Sequence, residues 1–449
     1  MSGFGNKDAL NQLPDALKAL LDVERHDLND LRSFQTPNPN PPFDERYLPI
    51  NCDAVSLPCY LIERKHFFTY SAPRTPPACD TFAGERVVFP VHPAEEGHYS
   101  RFITNVHVID GVQFGLRLWA VPTSSTRTML VWPDGNGRSA YFVKTSLFSN
   151  IFGNRRITRR KIAHSIGLSS LVFDSKQTLP AGLSFFHETH GVVPRAMPDA
   201  GVIFRAVPTE LKKGEIRLLP LFSFLNAKHG RMSLFQKMLL GNPCNAVNFF
   251  EQCLCREFAR IWLSLALGHG LLIECHAQNL LLEVTPDGAT PLPRFWYRDF
   301  EGLAVDWELR RALSLQGPKM PYGEDNTYAT LGYPHFQSAW CKWKISLYQY
   351  LHFVLHALDR VVDESQALEA RRAGASCMRI TRVFSRQLRR LVREEYGLAE
   401  RDDYDIYEQP SRFIRFLMHV RRDVMRAGRT ATLLAPRHCQ CAHQPQSKR

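Results

Sequence analysis

Residues 271 to 284, LLIECHAQNLLLEV, set four polar side chains (Glu274, His276, Gln278 and Asn279) inside a run that otherwise reads as core. Burying an acid, an imidazole and two amides is costly unless each finds a partner, so the stretch requires either a satisfied polar network or a bound ligand. Asn279 is followed by a hairpin-like insert, LLLEVTPDGATPLPRFWYRDFEG, whose two strands would bring Asn279 back beside Asp299. Magnesium takes hard oxygen ligands, commonly one or two carboxylates and an amide oxygen next to phosphates. Upstream, PTSSTRTM (122 to 129) packs hydroxyls and a guanidinium into one segment that includes Ser125, Arg127 and Thr128; Lys144 follows on the next strand, and Arg155 and Arg156 come after FGN. Guanidinium forks and ammonium point charges are the usual binders of polyphosphate oxygens. The combination points to ATP and Mg2+. In phosphotransferases a catalytic-loop Asn and a DFG Asp hold metal in this way, with a base Asp five residues before the Asn. Here Glu274 takes that earlier place, and His276 and Gln278 are polar groups a kinase loop does not require.

The elements that must position these residues follow from periodicity. Leucines at 10, 13, 17, 20, 21, 28 and 31 recur at helical spacing, so residues 1–35 are expected to form an N-terminal helical appendage, ended by TPNPNPP in a linker over 36–49. Residues 50–240 have β texture, with RTMLVW and SAYFVKTSL flanking the turn PDGNG; a hairpin of Arg127–Val131 against Tyr141–Thr145 is expected inside a β-rich nucleotide and substrate lobe. Long helical patterns dominate 241–435, and 436–449 reads as a disordered tail. Within that tail, His438, Cys439, Cys441 and His443 lack the two separated ligand pairs of a structural zinc site. Gly268-His269-Gly270 reads as the end of a helix. HETH (187 to 190) has no supporting context, and no Ser-centred elbow, Walker loop or dinucleotide fingerprint is present.

Composition narrows the function classes. A chain of 449 residues, 44% of them hydrophobic, can bury a large core and is expected to form two lobes. No apolar run approaches a membrane span and the first residues lack the order of a signal peptide, so a cytoplasmic protein with no membrane partner is expected. The 11 cysteines, mostly inside apolar segments, read as reduced core thiols. The net charge of +12 raises nucleic acid, but the arginines of the C-terminal helices are interspersed with acids, as on a solvated face, and no nucleic-acid partner is expected.

Taken together, Ser125-Thr126-Arg127-Thr128, then Lys144 and Arg156, then Glu274-Cys275-His276-Ala277-Gln278-Asn279, then Arg298-Asp299-Phe300-Glu301-Gly302 resemble the signatures of the NRPS-independent siderophore synthetases, the aerobactin-synthetase-like family. Order and spacing agree over about residues 85 to 305, and the helices to about 430 are similar to the family's ferric-reductase-like region. PVHP (90 to 93) also resembles a family segment, with Ala94-Glu95 in place of the usual Trp-Gln; the family's Gly-His-x-x-His-Pro-x-x-Lys loop is not found. The resemblance implies an α+β, cupped-hand (fingers, palm, thumb) synthetase with a β-rich N-terminal lobe and a helical C-terminal lobe. It implies siderophore biosynthesis by an enzyme, a homodimer, that adenylates a carboxylate of citrate or a related polycarboxylic acid and condenses it with an amine or alcohol. ATP would lie on Ser125, Arg127, Thr128, Lys144, Arg156, Glu274, His276, Gln278 and Asn279, with Arg127, Lys144, Arg156 and His276 acting in catalysis. Asn279, Asp299, Glu274 and Glu301 would hold Mg2+, and Arg205 the substrate carboxylate, unless it is a strand-end surface residue. A kinase-like small-molecule phosphotransferase and a non-catalytic relative of the synthetases are the alternatives.

Overall fold

A computed structural model describes residues 10–11, 13–27, 44–72, 82–83, 85–99, 113–132, 139–148, 157–225, 232–315, 328–329, 342–351, 380–397 and 410–427. Arg156, part of the expected 36–49 linker and the tail from 436 lie outside the described residues.

The runs of β-branched and aromatic residues form an antiparallel nine-stranded sheet. In chain order the first strands are β1 (Val55–Glu63), β2 (Phe67–Ser71), β3 (Phe82–Ala83), β4 (Arg86–Pro90), β5 (Gln113–Pro122), β6 (Thr128–Val131) and β7 (Tyr141–Thr145). After β8 (Leu183–Phe185), which joins another sheet, come β9 (Glu188–Pro194) and β10 (Val202–Ala206). The order across the sheet is β2-β9-β10-β7-β6-β5-β1-β4-β3. The expected hairpin is its centre: β6 and β7 pair with Thr128 opposite Lys144 and Val131 opposite Tyr141. Every residue of both strands is buried, which explains their unbroken apolar texture. Because side chains alternate across a strand, Met129 and Val131 face one core cluster and Leu130 the other.

That second cluster includes the N-terminal helix. Helix α1 (Asp15–His26) shares a core with Leu130, Phe142 and Trp296 through Leu17, Leu20 and Leu21, so it is part of the body of the molecule. A four-stranded sheet then spans the expected boundary at residue 241. With β11 (Arg217–Pro220), β13 (Leu280–Val284) and β14 (Pro291–Tyr297), its order is β11-β13-β14-β8, and β12 (Leu271–Leu272) lies outside it. β13 and β14 are the expected hairpin, with Leu280 opposite Tyr297, and they are clasped by strands from the earlier half of the chain. A third sheet orders β12, β15 (Ala304–Asp306) and β16 (Tyr328–Ala329).

One long helix inside the β-rich stretch was not legible as such. Helix α2 (Arg159–Asp174) buries His164, Ser165, Ser169 and Ser170 along with its apolar residues, so it shows no clean apolar stripe. Farther on, α3 (residues 243–268) runs through α-helical and π-helical turns and ends, as expected, at Gly268. Gly270 follows at φ +59°, where a Cβ would lie 2.7 Å from Arg310 Cγ and 2.9 Å from the Asp306 carbonyl oxygen, so only glycine fits. Helices α4 (residues 342–351), α5 (Ile380–Tyr396) and α6 (Pro410–Ala427) complete this part. Phe258 of α3 stacks on Tyr350 of α4 with ring centroids 3.8 Å apart, and Arg421 of α6 is paired with Asp306 at 2.6 Å. Cys52, Cys59, Cys253, Cys255 and Cys275 are buried free thiols. No described helix is long and apolar enough to cross a membrane.

Candidate active site

The β6–β7 hairpin and the β13–β14 hairpin meet at one cluster of charge. Lys144 is presented by β7 with only 3% of its side chain exposed, and its Nζ lies 2.6 Å from Asp299 Oδ1 and 3.1 Å from Glu301 Oε2. Arg127, at the entry to β6, places Nη2 3.4 Å from Glu301 Oε2. Lys161, from the first turn of α2, places Nζ 2.6 Å from Glu301 Oε1. Burial alone would raise the carboxyl groups of Asp299 and Glu301; the Lys144 ammonium beside both overrides it and holds them below the usual carboxylate range.

Glu274 lies near these two acids in a contrasting environment. Its Oε2 accepts from Asn279 Nδ2 at 3.1 Å and its Oε1 from Gln349 Nε2 at 3.4 Å. Burial first, then the charges of Asp299 and Glu301, push its carboxyl up to about 7. A Cβ on Gly302 would lie 2.1 Å from Glu274 Oε2, so this glycine is what admits the carboxylate to the site. The Asp299 backbone is itself held at φ +79°, a conformation few non-glycine residues adopt. Tyr297 steadies it from β14, since its hydroxyl donates to the Asp299 carbonyl at 3.0 Å and accepts the Glu274 amide N–H at 3.3 Å.

The remaining polar residues of the opening stretch answer the burial problem in different ways. Gln278 is buried and donates through Nε2 to Ser124 Oγ at 2.8 Å, while its carbonyl accepts from Arg298 Nε at 3.0 Å. Asn279 is buried against Glu274. His276 is only half-buried, and its Nδ1 accepts the Gln278 N–H at 3.2 Å, a contact within its own loop that orients the ring. The Ser-x-Arg-Thr segment is a tight turn with Thr126 at φ +61°, closed by the Thr128 N–H donating to Ser125 Oγ at 3.1 Å.

The structure therefore brings Ser125, Arg127, Thr128, Lys144, Glu274, His276, Gln278, Asn279, Asp299 and Glu301 into one linked region. Arg156 lies outside the described residues. Arg205 is no strand-end surface residue: it is 5% exposed within β10 and holds Glu188 at 2.7 Å. Glu301, expected among the metal ligands, is here the anion on which Arg127, Lys144 and Lys161 meet.

Three further supports are Glu24 and Lys161, which lie outside every motif of the sequence, and His92 of the PVHP segment. Glu24 of α1 is fully buried, accepts the Ser124 N–H at 3.0 Å, and pairs with Arg298 at 2.7 Å. An acid continuing the apolar stripe of Leu17, Leu20 and Leu21 was the available signal. Lys161 carried no signal in the sequence, because the helix that presents it was itself not legible there. His92 is buried, its Nδ1 accepts the Ala94 N–H at 3.2 Å, and burial holds its imidazole down at about 3.

Hard oxygens from Asn279, Asp299 and Glu274 match the chemistry of Mg2+, and Glu274, crowded by two other acids, would be relieved by a cation. Among the described residues no group of three His, Cys, Asp or Glu is arranged to enclose a metal. Mg2+ seldom uses such a cage, taking one or two carboxylates together with substrate phosphates, so the donor set fits.

No protein-family model matches the sequence, and no curated protein does either. Solved structures do match. The petrobactin biosynthesis protein AsbB of Bacillus anthracis str. Sterne is 14% identical with a TM-score of 0.58, covering 79% of this chain and 63% of its own. Aerobactin synthetase IucC from a hypervirulent pathotype of Klebsiella pneumoniae is 16% identical with a TM-score of 0.55, covering 84% and 66%. ATP-bound aerobactin synthetase IucA from the same source is 16% identical with a TM-score of 0.52, covering 84% and 75%. The chain thus spans less than two thirds of the length of the first two of these proteins. With its curled antiparallel sheet, clasped hairpin and packed helices, the chain has the α+β fold of the aerobactin-synthetase-like siderophore synthetases.

Proposed function

We propose that this protein is an ATP-dependent, AMP-forming ligase of siderophore biosynthesis. It would activate a carboxylate of citrate or a related polycarboxylic acid and pass the acyl group to an amine or alcohol, giving an amide or ester. The observation that carries the reading is the convergence of Arg127, Lys144 and Lys161 on Asp299 and Glu301, two acids that also crowd Glu274, the partner of Asn279. The fold shared with ATP-bound IucA supports it.

A carboxylate oxygen attacking the α-phosphorus of ATP brings two anions together, and the P–O bond to pyrophosphate breaks as the new one forms. Fixed cations aimed at the developing charge are the most effective help in such a step, because they need no reorganisation. Arg127 and Lys144 are fixed in this sense: both are nearly buried, and each is set by a strand or turn with few alternatives. His276, half-buried on the loop, would hydrogen-bond a phosphate oxygen, and Ser125, Thr128 and Gln278 shape the wall behind it. Mg2+, when held by Asn279, Asp299 and Glu274, supplies further charge neutralisation at the phosphates. The amine or alcohol then attacks the activated acyl carbon, loses its proton, and AMP leaves. Arg205, tied to Glu188 through Nη2, would hold a substrate carboxylate through its remaining donors. We place the reaction in the cytoplasm and expect a homodimer.

Incubating the purified protein with ATP, Mg2+, hydroxylamine and citrate tests the reading. AMP, pyrophosphate and a hydroxamate in equal amounts are expected; ADP and phosphate would assign the site to a phosphotransferase instead.

A further inference from the structure

The first turn of α2 reads Arg159-Arg160-Lys161 and contains no acid, although the exposed N–H groups at a helix start favour negative charge. Arg159 is accounted for by packing, with its guanidinium 3.7 Å over Phe68 and Nε donating to Tyr70 Oη at 2.7 Å. Lys161 turns the other way, and 19% of its side chain is exposed where it meets Glu301 at 2.6 Å. One turn later His164 Nε2 lies 3.3 Å from the Leu303 carbonyl, which seats this face of α2 against the loop that carries Glu301. The position of Lys161 is therefore set by the helix and not by the ion pair alone.

Arg127, Lys144 and Lys161 come from a turn, a strand and a helix, and all three end on one carboxylate that is 13% exposed. Three cations meet at Glu301, and a carboxylate offers two oxygens where three donors compete. A phosphate group has the oxygens and the charge to receive all three. We infer that Lys161 is a further phosphate-binding residue, forming with Arg127 and Lys144 a cradle in which Glu301 holds the place of an ATP phosphate until nucleotide enters. The inference rests on the nucleotide reading above and adds to it a residue outside every motif that suggested ATP.

Calorimetric titration of the full chain with Mg-ATP, with magnesium tripolyphosphate and with adenosine tests it in the wild type, Lys161→Gln and Lys161→Arg. Lys161→Gln should weaken Mg-ATP and tripolyphosphate alike by roughly tenfold or more, the loss expected for one charge-assisted contact. Adenosine should bind both proteins equally, and Lys161→Arg should recover most of the loss. If Lys161→Gln binds tripolyphosphate as the wild type does, or weakens adenosine equally, the inference is overturned while the nucleotide site stands. If the wild type binds neither Mg-ATP nor tripolyphosphate, the nucleotide reading and the inference fall together.

Discussion

Lys144 Nζ lies 2.6 Å from Asp299 Oδ1, joining residues 155 positions apart and two hairpins that belong to different sheets. The same ammonium reaches Glu301, so one buried cation balances two acids. Lys144 is thus both a candidate phosphate ligand and a structural counter-ion.

Replacing it should affect both roles. Lys144→Ala leaves Asp299 and Glu301 facing each other with less compensation, which should destabilise the unliganded protein by about 1 to 3 kcal/mol and abolish nucleotide binding. Arg127→Ala, with Glu301 still held by Lys144 and Lys161, should weaken ATP with a smaller loss of stability. Chemical denaturation and ATP titration of the two variants check this; equal, negligible stability changes would show that Lys144 is not the balancing charge.

Gly302 offers a steric test of Glu274. In Gly302→Ala the new methyl would meet Glu274 Oε2 at 2.1 Å, so the carboxylate must swing away. Displacing a positioning group by this much can cost on the order of a hundredfold in turnover. Steady-state kinetics should show a fall of that order in kcat with the fold retained by circular dichroism, and unchanged kcat would mean that the position of Glu274 is unimportant.

Ligand-induced stabilisation reports on the oxygen donors. Mg-ATP at a hundredfold excess over Kd should stabilise the wild type by about 2.7 kcal/mol. Asn279→Ala should lose this shift, and so should Asp299→Asn, which keeps a residue type tolerant of the +79° φ. His276→Ala should keep part of it, because a neutral hydrogen bond is worth only about 0.5 to 1.5 kcal/mol. A wild type with no shift, or variants that all retain it, would make the polar loop a satisfied core and not a binding site.

Acid stability follows from buried histidines. Burial holds His92 at about 3 and His164, His187 and His269 at about 4, so near pH 5.5 they are neutral when folded, whereas the unfolded chain protonates them around 6.5. Their contribution is complete above pH 6.5 and is lost as pH falls. Glu274 opposes them, because its raised carboxyl, at about 7, binds a proton in the native state that the unfolded chain releases. These four histidines less Glu274 contribute an uptake on unfolding of about three protons near pH 5.5. The slope of unfolding free energy against pH measures it, and His164→Gln should reduce it by about one; a flat profile would show these histidines to be solvated.

What the sequence made legible were features with a local signature. The β6–β7 and β13–β14 hairpins are bracketed by turn residues, and the Glu274–Asn279 loop announces itself by polarity within an apolar run. What stayed hidden depends on distant partners. Glu24 finds Ser124 and Arg298, respectively 100 and 274 positions away, and α2 buries serines and a histidine that disguise its period. The four-stranded sheet could not be foreseen from texture, since β8 and β11 are short and pair with a hairpin from the far side of the expected boundary. Arg205 looked available because nothing local marks Glu188 as its partner.

In the proposed function this site joins a carboxylate to the α-phosphate of ATP with release of pyrophosphate. Exchange of labelled pyrophosphate into ATP measures that step alone, before any nucleophile is needed. With Mg2+, ATP and citrate or a related polycarboxylic acid, the wild type should show acid-dependent exchange that is lost in Lys144→Ala. Formation of ADP with no acid-dependent exchange would contradict the account.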